Sequence, residues 1–426
     1  MTTTTPANVP APSSLRRLPF SVLAKPTGAA CNLDCAYCFF LSKELLYDHR
    51  SQRMSDEVLV GYLANLFDAQ PDGVVQVAWQ GGEPTLRGLP FFARVVELAE
   101  QLRRPTQQIE HVIQTNGTLL DDEWAAFLAE HRFLVGVSID GPQHLHDSFR
   151  VGKTGAGTHA QVVRGWELLQ AHRVESNILC TVNAANQHHP LEVYRYFRDE
   201  LGARYLQFIP IVERVPADHV ALAEQGWRVG ERGRRSLLYQ QHGDRVTSRS
   251  VSPAAYGEFL VAVFDEWAGR DVGEVFVQDF DATLGNMFGR PSLCVHSPEC
   301  GNAVVVEHNG DVYACDHFVE PDYLLGNTCD TSLQVMLQSR AQREFGRAKR
   351  TALPAACQAC PVLWACHGGC PKDRFVTTAD GEPGLSYLCP GYHRFYTHSR
   401  PTLQNIARLI RAGRPAADIL VRHQPS

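Results

Sequence analysis

The 426-residue chain lacks any uninterrupted apolar run that approaches the length of a membrane-spanning helix. It also lacks a basic surplus, because 40 lysine and arginine residues are set against 46 aspartate and glutamate residues, for a net charge of −6. The sequence therefore predicts neither a membrane segment nor a nucleic-acid-binding surface. What it does have is enough length and apolar content, 44%, for two or three domains with a sizeable core.

The first seventeen residues are rich in threonine, proline, alanine and serine, a composition that predicts disorder. Within them, Arg16 and Arg17 resemble the start of a twin-arginine export signal. No continuous apolar segment follows, because Lys25 and Pro26 interrupt the apolar residues. We therefore expect a mature cytoplasmic protein.

The thirteen cysteines are distributed unevenly along the chain. Three lie within residues 31–38, one is Cys180, and nine lie within residues 294–389. In a long chain expected in a reducing compartment, such clustering indicates metal binding rather than disulfide bonds. The clustering also divides the chain into two functional parts.

Between residues 20 and 215, apolar runs alternate with amphipathic segments. The runs predicted as strands are residues 20–24, 74–79, 109–114, 133–139, 177–182 and 205–212. The segments predicted as helices are residues 55–67, 90–102, 121–130, 159–172 and 191–201. Ser55 before two acidic residues is typical of a helix N-cap. This α/β alternation predicts a parallel sheet with right-handed crossovers, either a barrel or an open sheet.

Beyond this part, the pattern is less regular. Residues 213–250 are charged and predict a solvated connector, residues 253–269 predict a helix, and residues 274–281 predict a strand. A turn at residues 308–311 predicts a hairpin.

Glycine-containing polar segments follow three of the predicted strands: residues 80–84 (QGGEP), 115–118 (TNGT) and 138–142 (SIDGP). Parallel α/β folds build their sites at the carboxyl edge of the sheet, where these loops converge. We therefore expect a site at this edge.

Cys31, Cys35 and Cys38 form a C-x3-C-x2-C pattern shortly after the first predicted strand. Three thiolates on one loop can hold three corners of a four-iron cluster and leave the fourth iron open to a ligand. A zinc loop or three reduced core thiols are the alternatives, but structural zinc prefers four protein ligands. The pattern resembles the signature of the radical S-adenosylmethionine (SAM) enzymes, in which the open iron chelates SAM.

A second ordered set of cysteines resembles the SPASM extension of radical SAM enzymes, which holds two auxiliary four-iron clusters. The resemblance assigns the first auxiliary cluster to Cys294, Cys300, Cys315 and Cys370, and the second to Cys357, Cys360, Cys366 and Cys389. Zinc sites built from four cysteines are the alternative here. Cys180 and Cys329 are left over, and we expect them to be small core residues.

From about Ser21 to Tyr396, the sequence is most similar to the anaerobic sulfatase-maturating enzymes. The matching segments are CNLDCAYCF (31–39), WQGGEPTL (79–86), QTNGTL (114–119), FLVGVSIDGP (133–142), NILC (177–180), YLQFI (205–209) and VYACD (312–316). The resemblance implies an incomplete (β/α)6 barrel followed by a SPASM domain. The expected divisions are residues 1–17, 18–250, 251–397 and 398–426.

The resemblance also implies roles for single residues. The SAM contacts would be Tyr37, Gly82, Ser138, Arg150 and Val212. Asp316, directly after Cys315, would be the general base, although an aspartate at a strand end also commonly caps a turn. Phe40 departs from the family, in which relatives often have tyrosine, so the resemblance leaves open whether the substrate pocket is the same.

The implied activity is oxidation of a cysteine or serine in an unfolded sulfatase segment to formylglycine, with SAM, three four-iron clusters and an external electron donor such as flavodoxin or ferredoxin. One alternative is another SPASM enzyme, which forms a thioether or carbon–carbon crosslink on a ribosomal peptide. The other is an iron–sulfur electron carrier without catalytic activity.

Overall fold

The protein is described from a computed structural model that covers residues 19–47, 52–227 and 237–423. The prediction of disorder for residues 1–17 falls outside these ranges. Within them, no helix has both the length and the apolar character needed to cross a bilayer.

The described residues form twelve strands. They are β1 Ser21–Ala24, β2 Gly73–Trp79, β3 Gln107–Thr115, β4 Leu134–Ser138, β5 Ser176–Val182, β6 Tyr205–Pro210, β7 Arg214–Val215, β8 Arg245–Val246, β9 Phe276–Val277, β10 Ala303–Val306, β11 Asp311–Tyr313 and β12 Leu324–Asn327.

The same residues form fourteen α-helices. They are α1 Asp56–Ala69, α2 Leu89–Leu102, α3 Asp122–Glu130, α4 Gln143–His146, α5 His159–Ala171, α6 Pro190–Arg195, α7 Val220–Ala223, α8 Pro253–Arg270, α9 Gln278–Met287, α10 Leu333–Leu337, α11 Arg340–Thr351, α12 Ala355–Gln358, α13 Leu363–Cys366 and α14 Cys389–Arg411.

Ten strands share one open sheet in the order β12-β11-β10-β1-β2-β3-β4-β5-β6-β9. Strands β1 to β6 are parallel neighbours in chain order, which confirms the six predicted units. The sheet does not close, because β9 extends it beside β6 while β10 extends it beside β1. The carboxyl ends of β1 to β6 therefore lie along one edge, as expected for a partial barrel.

The helix starts follow from local capping. The Ser55 hydroxyl accepts a hydrogen bond from the backbone N–H of Val58, and the Asp121 carboxylate accepts one from Trp124. Both confirm the predicted starts of α1 and α3. The fully buried residues of the central strands, among them Val77, face helices whose apolar sides form the core.

Three predictions of local structure are wrong. Residues 274–281 form a strand only at Phe276–Val277, and α9 begins at Gln278 because acidic residues in its first turn favour a helix. Strand β6 ends at Pro210, so Val212 lies beyond it. The described part of residues 213–250 is not a solvated connector, because Glu213 and Arg249 form a buried ion pair of 2.9 Å.

The predicted hairpin is confirmed, since β10 and β11 pair antiparallel around residues 307–310. Its strand β10 pairs parallel with β1, with Leu23 opposite Val305. The sheet therefore continues across the expected division at residue 250. The expected division after residue 397 falls inside the continuous helix α14, so it does not separate two structural elements.

Candidate active site

Residues 31–38, here called the cluster loop, follow β1 at the carboxyl edge of the sheet. The backbone N–H of Leu33 donates to Cys31 Sγ at 3.3 Å, and the N–H of Cys38 donates to the Cys35 carbonyl at 3.0 Å. Burial raises the pKa of the Cys31 and Cys35 thiols to about 12 and that of Cys38 to about 11. Three thiolates are therefore costly here without a bound cation, which fits a metal-cluster site.

The segment after β3 holds the cluster loop in place. Asn116 Nδ2 donates to Asn32 Oδ1 at 2.9 Å, and Asn32 Nδ2 donates to Thr118 Oγ1 at 2.8 Å. The Asn32 side chain, which directly follows Cys31, is thus fixed by hydrogen bonds to Asn116 and Thr118. The polar residues predicted at this edge do converge, and they do so on the loop.

The segment after β2 supports the loop from the other side. Glu83 is fully buried and accepts hydrogen bonds from the Thr85 and Thr115 hydroxyls and from the Asn116 backbone N–H. A Cβ on Gly82 would lie 2.0 Å from the Ala30 carbonyl oxygen. Gly82 is therefore required by the close approach of the chain that leads into the loop.

Tyr37, which projects from the cluster loop, belongs to a buried polar network. Its hydroxyl donates to Asp140 Oδ2 at 2.5 Å and accepts from Thr181 Oγ1 at 2.8 Å. Arg150 Nε lies 3.0 Å from the same Asp140 oxygen. Burial holds the pKa of the Tyr37 phenol well above its usual value, so the hydroxyl remains a donor. Asp140 thus joins the loop to the ends of β4 and β5.

The other expected SAM contacts lie at the same edge. Gln114 Nε2 donates to Ser138 Oγ at 3.0 Å, and Val212 is buried two residues beyond β6. The partner of Arg150 within the chain is Asp140. Contacts of these residues with SAM remain predictions.

Asp316 lies beside a buried lysine. Lys25 Nζ, directly after β1, is 2.8 Å from Asp316 Oδ1 and 3.1 Å from Glu307 Oε1, and it lies 4.1 Å above the Phe40 ring. Burial alone would lower the pKa of Lys25, but the two carboxylates together hold it above its usual value. Through this ion pair with Lys25, Asp316, the expected base, is connected to the end of β1, the strand that leads into the cluster loop.

The first predicted auxiliary set surrounds a cavity of about 220 Å³. Its wall includes all four expected ligands: Cys294, Cys300, Cys315 and Cys370. Burial raises the pKa of Cys370 to about 12, and the neighbouring Cys294 thiol adds to this effect. The buried Lys349 ammonium donates to the carbonyls of Cys294 and Val295. A cavity lined by four thiols fits a closed four-iron cluster.

The second set gathers around α12, α13 and the start of α14. Burial raises the pKa of Cys366 to about 12, and the nearby thiols of Cys389, Cys357 and Cys360 raise it further. The four expected ligands are thus close enough to repel one another as thiolates. Arg374 donates to four backbone carbonyls in this part of the chain: those of Gly368, Lys349, His367 and Gly369.

None of the thirteen cysteines forms a disulfide, and all of them lie in the described ranges. Cys180 is buried in the core, as predicted. The prediction for Cys329 is wrong, because this residue is exposed in a turn after β12, where its N–H donates to Asn327 Oδ1.

Sequence reasoning missed three residues that organise the site: Lys25, Glu307 and Asp140. Asp140 lies in the singled-out SIDGP segment, where a carboxylate before glycine at a strand end was a usable signal. Lys25 and Glu307 are far apart in the sequence. Their pairing follows only from the β1–β10 register.

Comparisons with known proteins agree with this geometry. Residues 26–197 match the Radical SAM superfamily, and residues 294–361 match the SPASM family, described as an iron–sulfur cluster-binding domain. The chain is 42% identical over 406 residues to the serine-type anaerobic sulfatase-maturating enzyme of Bacteroides thetaiotaomicron, and the alignment covers 94% of each chain. The chain belongs to the anaerobic sulfatase-maturating enzymes.

Further matches to this enzyme family support the assignment. The cysteine-type anaerobic sulfatase-maturating enzyme of Clostridium perfringens strain 13 is 34% identical, over 92% of this chain and 100% of the relative. The solved structure of native anSMEcpe with bound AdoMet and Cp18Cys peptide superposes with a TM-score of 0.78 at 32% identity, over 92% of this chain and 100% of that one. As a sulfatase-maturating enzyme of the radical SAM superfamily, the chain uses SAM and a [4Fe-4S] cluster, and its SPASM domain binds auxiliary clusters.

The structure of Streptococcus suis SuiB bound to precursor peptide SuiA is a more distant match. It has a TM-score of 0.56 at 15% identity, over 84% of this chain and 73% of SuiB. This likeness shows a common fold and nothing about the substrate.

Proposed function

We propose that this enzyme oxidises a seryl or cysteinyl side chain of a sulfatase polypeptide to Cα-formylglycine. The observation that carries the proposal is the near-complete alignment with both a serine-type and a cysteine-type relative, at 42% and 34% identity. The peptide present in the anSMEcpe structure supports a polypeptide substrate. The 15% identity to SuiB gives no comparable support to the crosslinking alternative.

In this proposal, Cys31, Cys35 and Cys38 hold the SAM-binding cluster. When bound there, the cluster and SAM would supply the radical chemistry that takes a hydrogen atom from Cβ of the substrate. The SAM pocket is lined by Tyr37, Gly82, Ser138, Arg150 and Val212. The Asp140 network supports this part, since it fixes both Tyr37 and Arg150 from behind.

Asp316 is proposed to accept the substrate hydroxyl or thiol proton. Its carboxylate is partly accessible, with 15% of the side chain exposed, whereas its partner Lys25 is buried. The ammonium group of Lys25 holds one carboxylate oxygen and leaves the other for the substrate. Phe40 adds an apolar surface beside this pair.

The two auxiliary sets, Cys294/Cys300/Cys315/Cys370 and Cys357/Cys360/Cys366/Cys389, are proposed to hold closed clusters suited to electron transfer. An external protein such as flavodoxin or ferredoxin would supply electrons. We infer a cytoplasmic location, which the lack of disulfides among the thirteen described cysteines supports because disulfides are rare in reducing compartments.

The test is an anaerobic reconstitution with SAM, reductant and paired peptides that differ only in serine or cysteine at the target. We expect 5′-deoxyadenosine together with a mass loss of about 2 Da for serine or about 18 Da for cysteine, as the oxidation to an aldehyde requires. A crosslinked peptide of unchanged residue count would favour the other SPASM chemistry. If no 5′-deoxyadenosine forms, the interpretation that remains is an iron–sulfur electron carrier without catalytic activity.

A further inference from the structure

Helix α14 presents a row of arginines to solvent. Arg400, Arg408 and Arg411, here called the arginine stripe, are exposed and, together with Gln404, recur at spacings of four, four and three residues. These spacings place them on one face of the helix. The stripe borders a groove of about 350 Å³ whose remaining lining is Met287, Trp364 and Ala407.

The arginine stripe is not neutralised within the described residues. No carboxylate among them lies within 4.0 Å of any of its three guanidinium groups. By contrast, the nearest arginines before and after the stripe are paired, Arg394 with Glu258 and Arg414 with Asp418, each at 2.8 Å. A concentrated positive field on a chain of net charge −6 indicates an acidic partner.

The stripe is held against aromatic rings instead. The Arg400 guanidinium lies 5.8 Å from the Trp364 ring and that of Arg411 lies 5.0 Å from Phe288. Arg411 also donates to the Met287 carbonyl at 3.0 Å. These contacts order two cations at the rim of the groove while their charges remain available to a partner.

The groove adjoins the second auxiliary set. Trp364 lies on α13 between the expected ligands Cys360 and Cys366, and Cys389 begins the helix that carries the stripe. Asn286 of α9 fastens this wall, because its Nδ2 donates to the Ala365 carbonyl at 3.2 Å. A protein seated on the groove would therefore contact the same short helix that presents the expected ligand Cys366.

We propose that the arginine stripe and the Trp364 groove form the docking surface of a small acidic one-electron carrier protein. The proposal rests on the proposed function. After a hydrogen atom leaves Cβ, formation of the C=O or C=S bond releases one proton and one electron. The proton would go to Asp316, and the electron would pass by way of a cluster held by the second auxiliary set to the docked carrier, which would be reduced by one electron. The carrier then holds the electron that the next SAM cleavage consumes.

A nucleic acid fits this surface less well. Nucleic-acid channels place several aromatic side chains along a basic groove, whereas here one indole lies in the groove of an acidic chain. An apolar centre with a basic rim is suited to a transient protein complex that forms by electrostatic steering.

The test measures binding of oxidised ferredoxin, an acidic one-electron carrier, to the anaerobically reconstituted enzyme at several salt concentrations. We expect the triple variant Arg400→Glu, Arg408→Glu, Arg411→Glu to bind at least about tenfold more weakly and to lose most of its salt dependence. The triple change to glutamine should fall between this variant and the wild type. The triple change Arg132→Glu, Arg173→Glu, Arg204→Glu, at exposed arginines in the turns before β4, β5 and β6, is the charge-matched control and should bind as the wild type does.

Iron content and the visible spectrum confirm that each variant is folded and loaded. Ferredoxin binding by the triple glutamate variant equal to that of the wild type would overturn the proposal. So would capture of single-stranded RNA by the wild type with no ferredoxin binding. Failure of the proposed function is recognised separately, because wild-type formylglycine formation is measured with a chemical redox mediator, whose reduced form supplies electrons and whose oxidised form accepts them in place of the carrier protein.

Discussion

The cluster loop and residues 294–389 both gather cysteines, but they do so by different means. The loop brings three thiols together within eight residues, and the Asn116 side chain braces it by donating to Asn32. Glu83 in turn accepts a hydrogen bond from the Asn116 backbone N–H and so holds the bracing segment. In residues 294–389 the two sets interleave. Cys370 lines the cavity of Cys294, although its neighbour in sequence, Cys366, belongs to the other set.

The cluster loop is thus specified by local sequence, whereas the auxiliary sets are specified by tertiary packing. The loop geometry depends on a short turn, so its spacing alone carries most of the information. The auxiliary sets depend on the packing of α9, α13 and α14, which brings distant segments together. Lys25 connects the two regions, since it belongs to the approach to the loop and pairs with Asp316 beside Cys315.

The sharpest test of the comparison is the same substitution made in each region. Cys35→Ala should abolish 5′-deoxyadenosine formation while leaving about eight of about twelve irons, because the auxiliary sets do not use this thiol. Cys370→Ala should also lose about four irons but still cleave SAM. Iron analysis and nucleoside quantification decide the matter. SAM cleavage by the Cys35 variant at the wild-type rate would remove the distinction between the two regions.

The next largest effect is expected at the connection between the regions. Asp316→Asn should lower formylglycine formation by about 10²–10⁴-fold while SAM cleavage continues, since a general base acts after hydrogen removal. Peptide mass and nucleoside are quantified in one reaction. The exposed Asp322→Asn serves as the control. Equal product yield from both variants would rule out the role of base.

A smaller effect tests the support of the cluster loop. Asp140→Asn leaves the buried Arg150 guanidinium without its carboxylate, which should cost about 3–5 kcal/mol of stability. Chemical denaturation of the loaded enzyme measures this loss. The exposed Asp244→Asn should change stability by less than about 0.5 kcal/mol. Similar midpoints for the two variants would show that the network contributes little.

The smallest effect concerns the sheet that carries both regions. Burial lowers the pKa of His111, on β3, to about 4, below that of an unfolded histidine. Between about pH 6.5 and 4 the unfolded state binds the extra proton, so stability contributed by neutral His111 is lost as the pH falls. His111→Phe keeps the stacking on Phe133 but cannot bind this proton. The free energy of unfolding of this variant should therefore fall by about 1–2 kcal/mol less than that of the wild type when the pH is lowered from 7.5 to 5. Denaturation at both pH values measures it, with exposed His393→Phe as the control; equal pH dependence in the two would contradict the assignment.

Much of this molecule follows from local sequence signals. Ser55 caps its helix as predicted, Asp121 caps α3 at the predicted start of that helix, and the six strands of the barrel part follow from apolar runs of ordinary length. The cluster loop is predictable for the same reason, because its three ligands are close in sequence.

Other features depended on packing that no local pattern contains. Residues 274–281 have the alternation of a strand, but only Phe276–Val277 find a partner strand beside β6, and the acidic residues that follow start a helix. Cysteine is a residue type that is usually buried, but Cys329 lies in an exposed turn. The Lys25–Glu307 pair requires two strands that lie far apart in sequence to become neighbours.

The pairing of β10 with β1 also affects the order of events on the ribosome. Ser21 faces Ala303, so one side of the first strand has no hydrogen-bonding neighbour until about 280 more residues have been translated. At about 5–20 residues per second this interval lasts roughly 15–60 s. During that time the nascent chain exposes an open strand edge directly before three reactive thiols. The sheet that supports the cluster loop is therefore complete, and ready for iron loading of these thiols, only late in synthesis.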